Sequence, residues 1–319
     1  MGEFQKTIGI VVCYFGKFPE YFKLWLKSCA CNPTVDFLIY TDCAYEQTLP
    51  VNVSIRKTKL EEIKKRTEEL VGFTVSLEKP YRLCDFRPLF GELFKEDLKQ
   101  YDFWGYCDLD MILGDIRKYI TDDLLDQYDK INRWGHLSFH RNTEECNKRY
   151  RLDSVRYSYK EVLTHTRDFG FDEYDYTFIH KKYGFPLLIL PEDMYADIRA
   201  RHRRFCVKGN DNYTEQIFYW ENGKVYRAYC DGQNELKRNE YLYIHFKKRG
   251  ALPVHFEGAE ERVNSFYITN SGFYEKKDAA ARQAIQDYNP YLGKAYEKYE
   301  DIKYRLKNDL YKMKRKYFD

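Results

Sequence analysis

TIGIVVCYFGKFPEYFKLWLKSCACNPTVDFLIYTD, residues 7–42, decides the fold. Its first part, TIGIVVCYFG (7–16), is an apolar run of strand length closed by a glycine, the pattern of a strand buried on both faces. PEYFKLWLKSCACN then sets apolar residues at helical spacing behind Pro19, which a first helical turn tolerates. DFLIYTD (36–42) is a second buried strand. Strand, helix, strand at this spacing is a βαβ unit, which predicts a parallel sheet with its ligand crevice at the strand C-terminal ends. Tyr14, Phe15, Thr41 and Asp42 fall at those ends.

The alternation continues. VSIRKTKLEEIKKRTEELVG holds a third short strand and a charged amphipathic helix, FRPLFGELFKEDLKQ a helix from near Pro88, and YDFWGYCDLDMIL a strand. GHLSFHRN (135–142), PLLILPED (186–193) and EYLYIHF (240–246) read as further strands, with helical or irregular segments between them. The expected fold class is α/β, a Rossmann-type mixed and mostly parallel sheet over residues 1–275 with a helical extension over 276–319. No internal repeat, low-complexity segment or Gly/Ser linker interrupts it.

Composition narrows the function. With 319 residues and 44% apolar content the chain buries a substantial core. Its 31 tyrosines lead an aromatic content of 18%, and Tyr pairs large contact area with a polar tip that suits polar ligands, sugars among them. Basic and acidic residues number 53 and 50, so no overall field argues for nucleic acid as a partner. Nine scattered cysteines, an odd number, are expected to be reduced thiols of a cytoplasmic protein. CAC at 29–31 is too tight for a zinc pair. The N-terminus lacks the basic region and small-residue cleavage site of a secretory leader, and no run approaches the ~20 apolar residues of a membrane span.

YCDLDMILGD, residues 106–115, places Asp108 and Asp110 one leucine apart in an apolar and aromatic run. Burying one unpaired carboxylate is costly, and a second nearby adds repulsion, so a positive partner is expected. In an extended strand residues i and i+2 face one way, with Cα atoms roughly 7 Å apart. Such a pair can grip Mg²⁺ or Mn²⁺ against a diphosphate. Asp-x-Asp also arises by chance, but here it ends a strand of an α/β domain, and Gly114 and Asp115 follow.

CYFGKFPEYFKLWLKSCACNP, DFLIYTD, PYRLCDFRPLFGELF, YDFWGYCDLDMILGDIRKYI and GHLSFHRN together resemble a bacterial family of GT-A-fold glycosyltransferases of polysaccharide biosynthesis. More distantly the chain is similar to the retaining enzymes of glycosyltransferase families 8 and 32. The resemblance covers roughly residues 8 to 145. It implies a GT-A-like fold, a UDP-sugar donor substrate and Mn²⁺ (or Mg²⁺) as cofactor.

Carried onto this sequence, the resemblance makes Asp108 and Asp110 the metal aspartates and His245, in YLYIHFKKR, the later metal histidine; a packed strand histidine is the alternative. Lys247 and Lys248 would meet the diphosphate. Asp85 and Arg87 in LCDFRP match residues that contact the donor sugar, although an Asp–Arg ion pair explains them equally well. Tyr14, Phe15 and Asp42 match positions lining the nucleoside pocket, with core packing as the competing role of the two aromatics. His136, His140, Arg141 and Asn142 would face donor and acceptor, with His140 the first catalytic candidate; Glu192 or Asp193 would orient an acceptor hydroxyl or act as base. The His245 match leans toward retention of configuration.

The implied function is transfer of a hexose from a UDP-sugar to a cell-surface or capsular polysaccharide, with a glycan or lipid-linked glycan as acceptor. The alternatives are a metal-dependent nucleotide-sugar hydrolase sharing the same site, with water as acceptor, and a catalytically silent GT-A module that binds glycan or a partner in a polysaccharide assembly complex. In the tail, Tyr299, Ile302, Leu306, Leu310, Met313 and Tyr317 recur at three- and four-residue steps, and residues 303–318 hold seven Lys or Arg against one Asp. This basic amphipathic helix is expected either to pack on the domain or to lie against the inner face of an anionic membrane.

Overall fold

The computed structural model describes residues 5–200, 202–209, 211–247, 252–256, 263–277 and 281–318. The chain is α/β, with a mixed, largely parallel seven-stranded sheet of Rossmann-like character. It divides into two compact units, the first formed by residues 1–18, 25–109 and 116–191, the second by 19–24, 110–115 and 192–319. This differs from the expected domain over 1–275 with a separate tail: the second unit starts well before residue 276 and contains the C-terminal helices.

In the first unit the all-apolar strand Ile8–Cys13 lies between Val35–Thr41 and Phe103–Cys107, parallel to both, and Val53–Lys57 extends the parallel set beside Val35–Thr41. Leu137–Arg141 then pairs antiparallel with Phe103–Cys107, followed by Lys130–Ile131 and Leu187–Leu188. The chain runs outward from Ile8–Cys13 on one side and resumes on the other at Phe103–Cys107, so the strand order reverses there. That reversal marks the ligand crevice of an open α/β sheet. Val11 pairs with Tyr106, so Tyr14 and Asp108 leave the sheet at the same edge. The expected helix from Pro88 is broken into the turns Arg87–Leu89, Phe90–Leu93 and Lys95–Leu98; Leu89, Phe90 and Leu98 of these turns, with Phe94 between the last two, fill the core on one face of the sheet.

The second unit holds a five-stranded antiparallel sheet, in the order Leu236–Tyr241, Lys224–Cys230, Gln216–Glu221, Ser265–Thr269 and Gly272–Glu275. Its faces alternate along Gln216–Glu221. Ile217 and Tyr219 pack with Ala284 and Ile285 of the helix Ala281–Tyr288, whereas Phe218 and Trp220 pack with Ile112, Ala196 and Ile244 of a three-stranded sheet. That small sheet sets Tyr243–His245 between Met111–Leu113, antiparallel, and Ala196–Asp197, parallel.

Gln216–Glu221 and Lys224–Cys230 of the antiparallel sheet fall in a segment read from the sequence as helical or irregular, and Ser265–Thr269 and Gly272–Glu275 fall where no element was read. The signal of the first two was there: FYWENGKVYR carries Asn222 and Gly223 at φ 48° and 82° between aromatic runs, the chemistry of a tight type I′ hairpin. Gly114 serves a backbone contact within the second unit. Its N–H donates to the Leu242 carbonyl at 2.7 Å, and a Cβ there would lie 2.5 Å from the Tyr241 carbonyl oxygen.

Candidate functional site

The acidic pair is not in a continuous strand. Phe103–Cys107 ends before Asp108, Met111–Leu113 begins after Asp110, and the two strands belong to different sheets. Asp108, Leu109 and Asp110 form the bend between them, where the chain passes from the first unit to the second. Each carboxylate therefore has its own setting.

In the first unit Asp108 meets the expected positive partner, Arg87, which ion-pairs with it. The same guanidinium donates to the Gly135 carbonyl at 2.7 Å and to Asp172 Oδ2 at 3.2 Å, above the Tyr106 ring. Burial works against the Arg87 charge, but Asp108, Cys84 and Asp172 outweigh it and hold the group well above its ordinary value. Burial also pushes the Asp172 carboxyl up, against the pull of Arg87. Arg87 thus clamps Asp108 at the crevice edge.

Tyr14, half-buried, stacks on Phe18 with ring centroids 5.6 Å apart, and Phe18 meets Tyr45 edge-on at 6.2 Å. Asp42 is exposed and accepts the Gly16 N–H at 2.8 Å, fixing a turn whose φ of 110° suits glycine. Of the expected nucleoside-pocket residues, Tyr14 and Asp42 are thus at the strand ends, whereas Phe15 joins the core. Phe18 and Tyr45 escaped sequence reading because a single aromatic in a loop carries no periodicity.

In the second unit three adjacent strands assemble a second cluster. His245 pairs in register with Asp197 on one side, and on the other Phe246 N–H donates to the Asp110 carbonyl at 3.0 Å, continuing the ladder. His245 Nδ1 is 3.0 Å from Asp197 Oδ1, and Nε2 is 3.4 Å from Asp110 Oδ1. His245 and Asp197 are buried, while the Asp110 side chain is 36% exposed and leaves the cluster an open side. With Nδ1–H donated to Asp197, Nε2 presents its lone pair toward Asp110, the carboxylate–histidine arrangement that orients a metal ligand.

The donor set fits a cation. Neighbouring ligands on an octahedral ion with bonds of about 2.1 Å lie about 3 Å apart, close to the Asp110–His245 spacing. Imidazole with carboxylate suits Mn²⁺, whereas Mg²⁺ prefers an all-oxygen shell. Asp197 lies in ILPEDMYAD, four residues beyond Asp193, and was missed; a carboxylate inside the apolar run YADI was the available signal.

A family model matches residues 10–277. The chain belongs to DUF6625, a family of unknown function. No curated protein matches it. In this DUF6625 chain the match embraces both clusters, from the strand Ile8–Cys13 through His245.

Other expected site residues of the DUF6625 chain have structural employment. Asp85 is buried and saturated by an ion pair with Arg82 and by the N–H groups of Phe169 and Phe171, at 2.9 and 2.8 Å; it fixes that loop rather than reaching a sugar. His140, 2% exposed, stacks on Trp104 at 4.4 Å and on Tyr176 at 5.4 Å, and burial holds its pKa well below the ordinary value. It is a packed core histidine with no face open to a donor or acceptor. Arg141 spends its guanidinium on Asp129 and on the carbonyls of Leu125, Asp126 and Tyr128, and Asn142 bridges Leu98 and Tyr101. Lys247 is committed to Asp197 Oδ2 at 2.8 Å instead of standing ready for a diphosphate. Lys248 lies outside the described residues. Glu192 and Asp193 are exposed on the turn Glu192–Met194. Among the described residues no helix is long and apolar enough to cross a membrane.

Proposed function

We propose that this protein is a metal-dependent GT-A-type glycosyltransferase that moves a hexose from a UDP-sugar to a surface-polysaccharide acceptor in the cytoplasm. One observation carries the reading: His245, oriented by Asp197, points Nε2 at the second aspartate of an Asp-x-Asp that follows directly on a Rossmann-like strand. Asp108, two residues earlier in the chain, is the first aspartate of that motif, and the sequence resemblance assigns it to the metal as well. A bound Mn²⁺ or Mg²⁺ supplies charge neutralisation for the departing diphosphate.

The chain's own residues do the rest. Tyr14, Phe18 and Tyr45 offer aromatic faces for the uracil at the ends of the first two strands. Arg87 keeps Asp108 in place and brings a fixed positive charge to the crevice edge. Asp197 holds the His245 tautomer, and Lys247 balances the Asp197 charge. Glu192 or Asp193, both exposed on the turn Glu192–Met194, orients the acceptor hydroxyl as it attacks the anomeric carbon and UDP leaves. Retention of configuration is the favoured outcome, on the strength of the His245 match.

The test is UDP release from a panel of UDP-sugars with Mn²⁺, with and without glycan acceptors. Release that depends on metal and acceptor supports transfer. Acceptor-independent release makes the protein a hydrolase, and neither binding nor turnover with any nucleotide sugar removes the enzyme reading in favour of a silent binding module.

A further inference from the structure

Among the described residues, the C-terminal helix Lys294–Phe318 is held by acidic groups near its start. Glu297 accepts from Arg204 Nη1 at 2.7 Å, Glu300 accepts the Arg203 N–H at 2.9 Å, and Asp301 lies 3.1 Å from His202 Nε2. These acidic groups occupy the first two turns and face the second unit. On the opposite side Tyr299, Ile302 and Leu306 are 54%, 48% and 58% exposed. The described part of the stripe foreseen from the sequence, Tyr299, Ile302 and Leu306, thus turns outward instead of packing on the domain.

The stripe advances by 3, 4, 4, 3 and 4 residues through Leu310, Met313 and Tyr317, the 3.6-residue period of a straight helix rather than the 3.5 of a coiled-coil seam. A flat surface matches that period better than a second helix. Charge points the same way: residues 303–318 carry seven Lys or Arg and one Asp, a net +6 on a chain whose total is +3, so the remainder is net −3. Lys303 and Lys307 flank the stripe, and Lys303 Nζ lies 5.6 Å from the centre of the Tyr299 ring. Long basic side chains bordering an apolar strip lie along it while their heads reach anionic headgroups.

We propose that this helix lays its Tyr299–Ile302–Leu306 stripe into the interface of an anionic lipid membrane, attaching the protein to that surface from the side. The surface lies outside the metal and nucleotide residues and does not depend on the transferase reading.

Flotation of the full-length protein with vesicles tests this, using phosphatidylcholine alone or with about 30% phosphatidylglycerol, at about 0.1 M and about 0.5 M salt. Binding to the anionic vesicles is expected to be at least about tenfold tighter than to the neutral ones and to fall at least about tenfold at the higher salt. Ile302→Ser with Leu306→Ser, and separately Lys303→Gln with Arg305→Gln and Lys307→Gln, are each expected to weaken binding about tenfold or more. The residues changed are exposed, and an unchanged thermal unfolding midpoint confirms the fold. Equal binding to both vesicle types, or no effect of either variant set, overturns the proposal. So does a dimer in sedimentation that dissolves on Ile302→Ser with Leu306→Ser while the wild type ignores vesicles, because the stripe then belongs to a second copy.

Discussion

Asp110→Ala is expected to lower metal-dependent UDP release at least about 10³-fold, a loss of roughly 4 kcal/mol of transition-state stabilisation. The unfolding midpoint should move by no more than about 2 °C, since exposed surface substitutions usually cost little. The separation of effects follows from the structure. The Asp110 backbone carbonyl, which alanine keeps, accepts the Phe246 N–H and holds the strand in place. Its side chain is 36% exposed and directed at His245 Nε2, 3.4 Å away, so removal opens no core cavity and breaks the pairing with the imidazole. A variant that retained turnover within about tenfold of the wild type would deny Asp110 a role in the chemistry.

Lys130→Met is expected to stabilise the protein by roughly 3–5 kcal/mol at pH 6 and to flatten its pH dependence. Lys130 is fully buried in the strand Lys130–Ile131, its Nζ lies 5.4 Å from the centre of the Tyr176 ring, and no hydrogen-bond partner reaches that Nζ among the described residues. Burial pulls its pKa down to about 7, with Asp172 and Glu173 opposing. The unfolded chain keeps that proton to about pH 10.5, so between about 7 and 10.5 the unfolded state binds more protons and stability rises with pH. The slope from this one group is about 1.4 kcal/mol per pH unit, and the full penalty remains below about pH 7. Methionine fills similar space without charge. Urea unfolding at pH 6, 7.5 and 9 should therefore give wild-type and variant stabilities that converge as pH rises; parallel curves would mean that Lys130 is not buried as a neutral amine.

Why so much of the first unit could be read from the chain is plain in Ile8–Cys13 and Val35–Thr41. Strands buried on both faces are uniform apolar runs, and a helix of the right length between them leaves little freedom of topology. The break of the Pro88 helix into three turns was not legible, because Leu89, Phe90, Phe94 and Leu98 keep helical spacing across it. The acidic pair was found for a sound reason, the cost of unpaired charge in an apolar run, but its geometry was not. Periodicity sees a strand on either side of Asp108 to Asp110 and cannot tell that the strands join different sheets.

The partners of the pair divide in the same way. Arg87 was legible as a cation near an aspartate, yet the aspartate it serves is Asp108 rather than neighbouring Asp85, which turns to Arg82 and a loop from residues 169–171. His245 and Asp197 are 48 residues apart and meet only through strand register, a long-range pairing that no local pattern encodes. His140 shows the converse: a histidine in a polar-looking segment whose side chain the alternation of a central strand turns into an aromatic core.

The most direct test of the central claim is a calorimetric titration of Mn²⁺ into the protein, with and without UDP, for wild type and His245→Ala. The account predicts Mn²⁺ binding that tightens when UDP is present and weakens at least about 100-fold in His245→Ala. UDP binding that is indifferent to Mn²⁺ and unchanged in His245→Ala would contradict it.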